Sequence, residues 1–149
     1  MARFRYSLQS ILDIKMKMET QAKQEFSAAK SALDEEEKGL FSLREQKADL
    51  EEKAGELLSG RLDFMAIEEN KQAILFTEGQ IAIKKERVRQ AGKRLENARE
   101  ALTEVMRERK THETLKEKSF EAFLKEENRA ESKAVDELTS YTYGKKTDK

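Results

Sequence analysis

Residues 67–102 read IEENKQAILFTEGQIAIKKERVRQAGKRLENAREAL. Within this stretch Ile67, Ile74, Ile81, Val88, Leu95 and Leu102 follow one another at intervals of seven residues, and the chain contains no proline. A seven-residue aliphatic repeat free of helix breakers marks a coiled-coil seam, because 3.5 residues per turn keep one stripe facing a partner helix. The expected fold is therefore all-α.

Working outward, the first part of the chain carries a partner stripe. Leu8, Leu12, Ala22, Phe26, Ala29, Leu33, Leu40, Leu43, Leu50, Ala54 and Leu57 alternate three and four apart, with the missing slots held by Lys15, Glu19, Glu36 and Lys47. Polar residues at such positions weaken a seam and help to fix its register. Ser59-Gly60 interrupts the pattern, and Asp63 is placed to cap a second helix. The expectation is a long antiparallel two-helix coiled-coil hairpin forming one domain over residues 1–149. Helix one spans about 7–58, the turn about 59–62, helix two about 63–139 and a flexible tail 140–149.

Pairing residues whose numbers add to about 124 sets Phe26 against Ala98 and Leu33 against Ala91, large against small. The same register puts Phe4 beside Phe120, but leaves Glu36 facing Val88 and Lys15 facing Arg109, two poor matches. Helix two then overhangs by about 20 residues, or about 30 Å at 1.5 Å per residue. Residues 121–140 of that overhang hold six acids and three bases among exposed apolar residues, a surface suited to insertion into another protein.

Composition narrows the function. With 40% charged residues and mean hydropathy −0.88, the chain can bury a two-helix seam but no thick globular core. Thirty Lys and Arg balance thirty Asp and Glu, which argues against a protein that coats nucleic acid. Zero cysteines remove disulfides and thiol chemistry. No membrane span or secretory signal is expected, since Asp13, Lys15 and Lys17 interrupt the early apolar segment. His112 is the single histidine, and His112-Glu113-Thr114-Leu115-Lys116 puts Lys116 where a zinc-binding helix has its second histidine. Gly144-Lys145-Lys146-Thr147 lacks the upstream glycine of a phosphate-binding loop. The carboxylate runs, such as Asp34 to Glu37, lie on a thin coiled coil without the desolvation that tunes an acid or base. No enzyme and no cofactor are expected.

The opening Phe4-Arg5-Tyr6-Ser7-Leu8-Gln9-Ser10-Ile11-Leu12-Asp13-Ile14-Lys15 resembles the start of the FliJ family. Glu108-Arg109-Lys110 through Leu115 to Lys118, then Glu127 to Arg129, Glu131, Lys133 and Asp136-Glu137-Leu138, resemble its C-terminal pattern. That resemblance implies a cytoplasmic, non-enzymatic coiled coil at the flagellar type III export apparatus, serving flagellum biogenesis and hence motility and chemotaxis. Its implied partners are the export ATPase, whose ring it enters like a central stalk, the membrane export gate, and export chaperones that it escorts. It further implies ATPase contact through Phe4, Leu8, Leu12, Phe123, Leu124, Arg129, Lys133, Asp136 and Glu137, and gate contact through Ala73, Phe76, Thr77, Gln80 and Lys84. The alternatives are a virulence-type secretion stalk, a transcription-modulating hairpin with an acidic tip, and a structural spacer.

Overall fold

A computed structural model describes the backbone of residues 3–147 and the side chains of residues 3–144. It contains two helices, α1 (Gln9–Leu57) and α2 (Phe64–Thr147), packed as a hairpin. Residues 58–63 make the turn. Gly60 adopts φ +79°, a left-handed conformation that costs glycine little, and Asp63 Oδ1 accepts the amides of Met65 and Ala66 at 3.1 and 3.2 Å, the expected cap.

Helix two runs further than the sequence reading placed it. The expected end near 139 lies eight residues short of Thr147, and most of the stretch read as a flexible tail is helical; Asp148 and Lys149 lie outside the described residues. No proline stops the helix, and the hydroxyls of Thr139 and Thr142 bond back to the carbonyls of Val135 and Leu138 at 2.9 Å each. Such back-bonding satisfies a threonine inside a helix.

The chain forms two compact units, Gln21–Thr103 and Met1–Thr20 with Glu104–Lys149. In the first, alternate third and fourth residues from Ala22 to Leu57 are buried or half-buried, and the same holds from Ile67 to Leu102. The six aliphatic residues of the opening repeat all lie in this seam. A companion column, Asn70, Thr77, Lys84, Ala91 and Ala98, completes it with polar and small residues.

The polar slots of helix one prove to be cross-helix ties. Lys84 Nζ reaches Glu36 Oε2 at 2.9 Å, Lys47 Nζ lies 3.4 Å from Glu78, and Asn70 Nδ2 donates to the Leu50 carbonyl at 3.1 Å. In the second unit Lys15 Nζ reaches Glu108 Oε2 at 2.7 Å and Arg109 pairs with Glu19. The numbers of these partners add to between 120 and 128, around the expected 124. The two mismatches of the sequence register thereby dissolve, because long side chains reach along the seam to a neighbour of the facing residue: Glu36 takes Lys84 instead of Val88, and Lys15 takes Glu108 instead of Arg109.

Gly39 lies beside the Glu36–Lys84 tie. A Cβ placed there would stand 2.8 Å from Lys84 Cε, so the bare backbone of α1 leaves the lysine stem its path.

Candidate partner interface at the chain ends

In the unit formed by the chain ends, α1 contributes Leu12, 3% exposed, and Glu19, 8% exposed. Opposite them Arg109 makes a two-sided link, pairing across the seam with Glu19 and along its own helix with Glu113 at 2.7 Å. Its Nε faces Glu19 as an ion pair rather than as an aligned hydrogen bond. The Glu113 hydrogen bond is the main reason the guanidinium is held even more firmly protonated than usual. His112, three residues after Arg109, lies half-buried with its Nδ1 enclosed.

Upstream of α1, residues 3–6 are not helical, yet they extend the packing. The Phe4 ring meets Phe120 edge-on at 5.1 Å and Phe123 at 5.4 Å, as the sequence register anticipated for the first pair. Half-buried positions recur along α2 as far as Glu127. From 128 to 144 every side chain is exposed, including the large apolar Val135, Leu138, Tyr141 and Tyr143.

The nine residues expected to meet an ATPase separate into two groups. Leu124, Arg129, Lys133, Asp136 and Glu137 are exposed on α2, and Leu8 is just over a third exposed. Leu12, Phe4 and Phe123 are engaged inside the chain. The fully exposed stretch thus begins at about 128, seven residues later than the expected 121, Phe123 being half-buried against Phe4.

The five residues expected to face an export gate also divide. Phe76 is 69% exposed and Ala73 and Gln80 are half-buried. Thr77, 4% exposed, is in the seam with its hydroxyl on the Ala73 carbonyl at 2.8 Å, and Lys84 is committed to Glu36. Their expected exposure is corrected by the position of both residues in the companion column of the heptad repeat.

Sequence reasoning passed over the apolar turn region. Leu58, Leu62, Phe64, Met65 and Leu75 are all exposed there, and a groove of about 240 Å³ opens between Ala54, Leu57, Ile67 and Ile74. The signal lay in Leu57-Leu58 on one side of the turn and in Leu62, Phe64 and Met65 on the other. Among the described residues no group of three or more His, Cys, Asp or Glu could hold a metal ion, and no helix is long and apolar enough to cross a membrane.

A search of curated proteins gave no significant match. Among solved structures, the chain is similar to CT670 of Chlamydia trachomatis, described as a candidate YscO homolog, with 24% identity, 99% of each chain covered and a TM-score of 0.66. The likeness is one of fold. Residues 4–148 match the family described as flagellar FliJ protein. With almost its whole length matched and the hairpin in place, the chain belongs to the flagellar FliJ protein family.

Proposed function

We propose that this chain is a non-enzymatic coiled-coil component of a flagellar type III export apparatus, and that its C-terminal helical stretch docks into the ring of the export ATPase. Family membership and the helical hairpin support the reading. The observation that carries the docking element is the run of exposed residues from 128 to 144, in which the large apolar Val135, Leu138, Tyr141 and Tyr143 are more than half exposed beside Arg129, Lys133, Asp136 and Glu137. Apolar side chains supply burial on docking, and the charges orient it. On this reading Leu8 and Leu124 border the contact, whereas Leu12, Phe4 and Phe123 are engaged within the free chain.

Contact with the membrane export gate falls to Phe76, with Ala73 and Gln80 beside it; Thr77 and Lys84 act through the seam. The protein works at the cytoplasmic face of the apparatus and escorts export chaperones. A transcription-modulating role would need an acidic tip, and the tip here is apolar around Leu58, Leu62, Phe64 and Met65.

The test is a chain ended after Glu127, compared with the full chain for binding to the export ATPase and stimulation of its turnover. The reading expects both to be lost while circular dichroism shows the hairpin intact. Full stimulation by the shortened chain refutes the assignment of the docking element.

A further inference from the structure

The N-terminal segment covers α2 in an unusual way. From Asn70 to Arg109 α2 is tied to α1, but Phe120 and Phe123 are met by Phe4, in a segment, residues 3–6, that is not helical. Among the described residues, one backbone hydrogen bond joins this segment to α1, from Gln9 N to the Tyr6 carbonyl at 3.1 Å. The cover is incomplete, since Phe120 stays 43% exposed. It is also internally opposed. The Phe4 ring gains edge-on contact with Phe120 and tilted contact with Phe123, whereas Tyr6 is buried and its hydroxyl has no hydrogen-bond partner among the described residues. A buried unsatisfied hydroxyl destabilises the state that buries it.

We propose that residues 3–6 form a displaceable latch over Phe120 and Phe123, closed in the free protein and opened when a partner helix takes its place. A favourable aromatic contact set against an unsatisfied Tyr6 hydroxyl is the composition expected of a segment poised between two states. The helix that replaces it meets the two phenylalanine rings with apolar side chains and continues onto the exposed Leu124. Regulation of docking in this form rests on the ATPase reading above: the partner gains the Phe120–Phe123 surface only by displacing Phe4, and its apparent affinity is reduced by the fraction of chain in which the latch is closed.

Two substitutions move the latch in opposite directions. Phe4→Ala removes its aromatic grip, and Tyr6→Phe keeps the buried ring while deleting the unsatisfied hydroxyl. The first readout needs no partner: fluorescence of anilinonaphthalene sulfonate with each full-length chain, folding being verified by circular dichroism. Phe4→Ala should raise the dye signal and Tyr6→Phe should lower it. The second readout is affinity for the export ATPase, where opening a latch closed about nine-tenths of the time tightens binding up to about tenfold. Phe4→Ala should bind more tightly and Tyr6→Phe more weakly than the natural chain.

The latch is overturned if Phe4→Ala leaves the dye signal unchanged, or if it weakens ATPase binding, since Phe4 would then be structural or itself a contact. Absence of ATPase binding by the natural chain overturns the docking reading instead, and the dye measurement still decides the latch. Should Phe4→Ala disturb folding, the drop in dye signal expected for Tyr6→Phe decides alone.

Discussion

Two glycines inside the helices face different surroundings. An added Cβ at Gly79 meets nothing within 4 Å, whereas at Gly39 it meets the end of Lys84. Replacing an interior helical glycine by alanine gains about 1 kcal/mol where nothing opposes it. Gly79→Ala should therefore raise the melting temperature, and Gly39→Ala should gain less than half as much or destabilise, because Lys84 must leave its path to Glu36. Equal gains at both positions would show that the lysine stem does not depend on the gap. The ion pair has its own test. The side chains of Lys84 and Glu36 are 23% and 27% exposed, so Glu36→Lys leaves two like charges largely out of water and should cost about 1–3 kcal/mol. Adding Lys84→Glu should restore most of the loss, which a double-mutant cycle by denaturant unfolding measures.

Helix-scale stability rests on the aliphatic column of α2. Leu95 is in the seam and Thr103 is exposed, its hydroxyl bonded to the Arg99 carbonyl at 3.0 Å. Leu95→Ala should cost about 1–3 kcal/mol, less than in a thick core because neighbours along a two-helix seam can collapse inward. Thr103→Ala should lie within about 0.5 kcal/mol of the natural chain. The register predicts a disulfide within one chain on replacing Phe26 and Ala98 together by cysteine; links formed only between chains would refute it. The helices, the turn and the register were legible because Ile67 to Leu102 repeats every seventh residue and because Gly60 and Asp63 punctuate the chain chemically. Of the companion column, that reading placed Ala91 and Ala98 in the seam and missed the three polar members. Asn70, Thr77 and Lys84 carry no hydrophobic signal, so Thr77 and Lys84 read as surface although a seam requires a second column three or four residues from the first. At the chain ends, Phe4 beside Phe120 was legible from register alone. That residues 3–6 also cover Phe123 was not, because a non-helical segment obeys no helical period.

At the scale of the whole molecule, charge and apolar surface are distributed so that the seam consumes much of what could bind elsewhere. Lys15, Glu19, Glu36 and Lys47, which interrupt the apolar stripe of α1, are spent on ties to α2. Arg129, Lys133, Asp136 and Glu137 are exposed on the stretch of α2 beyond the phenylalanines that Phe4 covers. Higher salt should therefore weaken docking more than it weakens folding: exposed charges are screened over about 8–10 Å at physiological ionic strength, and the partly buried pairs much less. Binding to the export ATPase and thermal unfolding, measured across the same salt series, check that ordering. The central claim is that the stretch beyond Glu127 docks into the ATPase ring, and the most direct measurement is ATPase turnover with the full chain and with a chain ended after Glu127. The account predicts stimulation by the full chain and none by the shortened one, with helical circular dichroism lost only in proportion to the residues removed; undiminished stimulation by the shortened chain would contradict it.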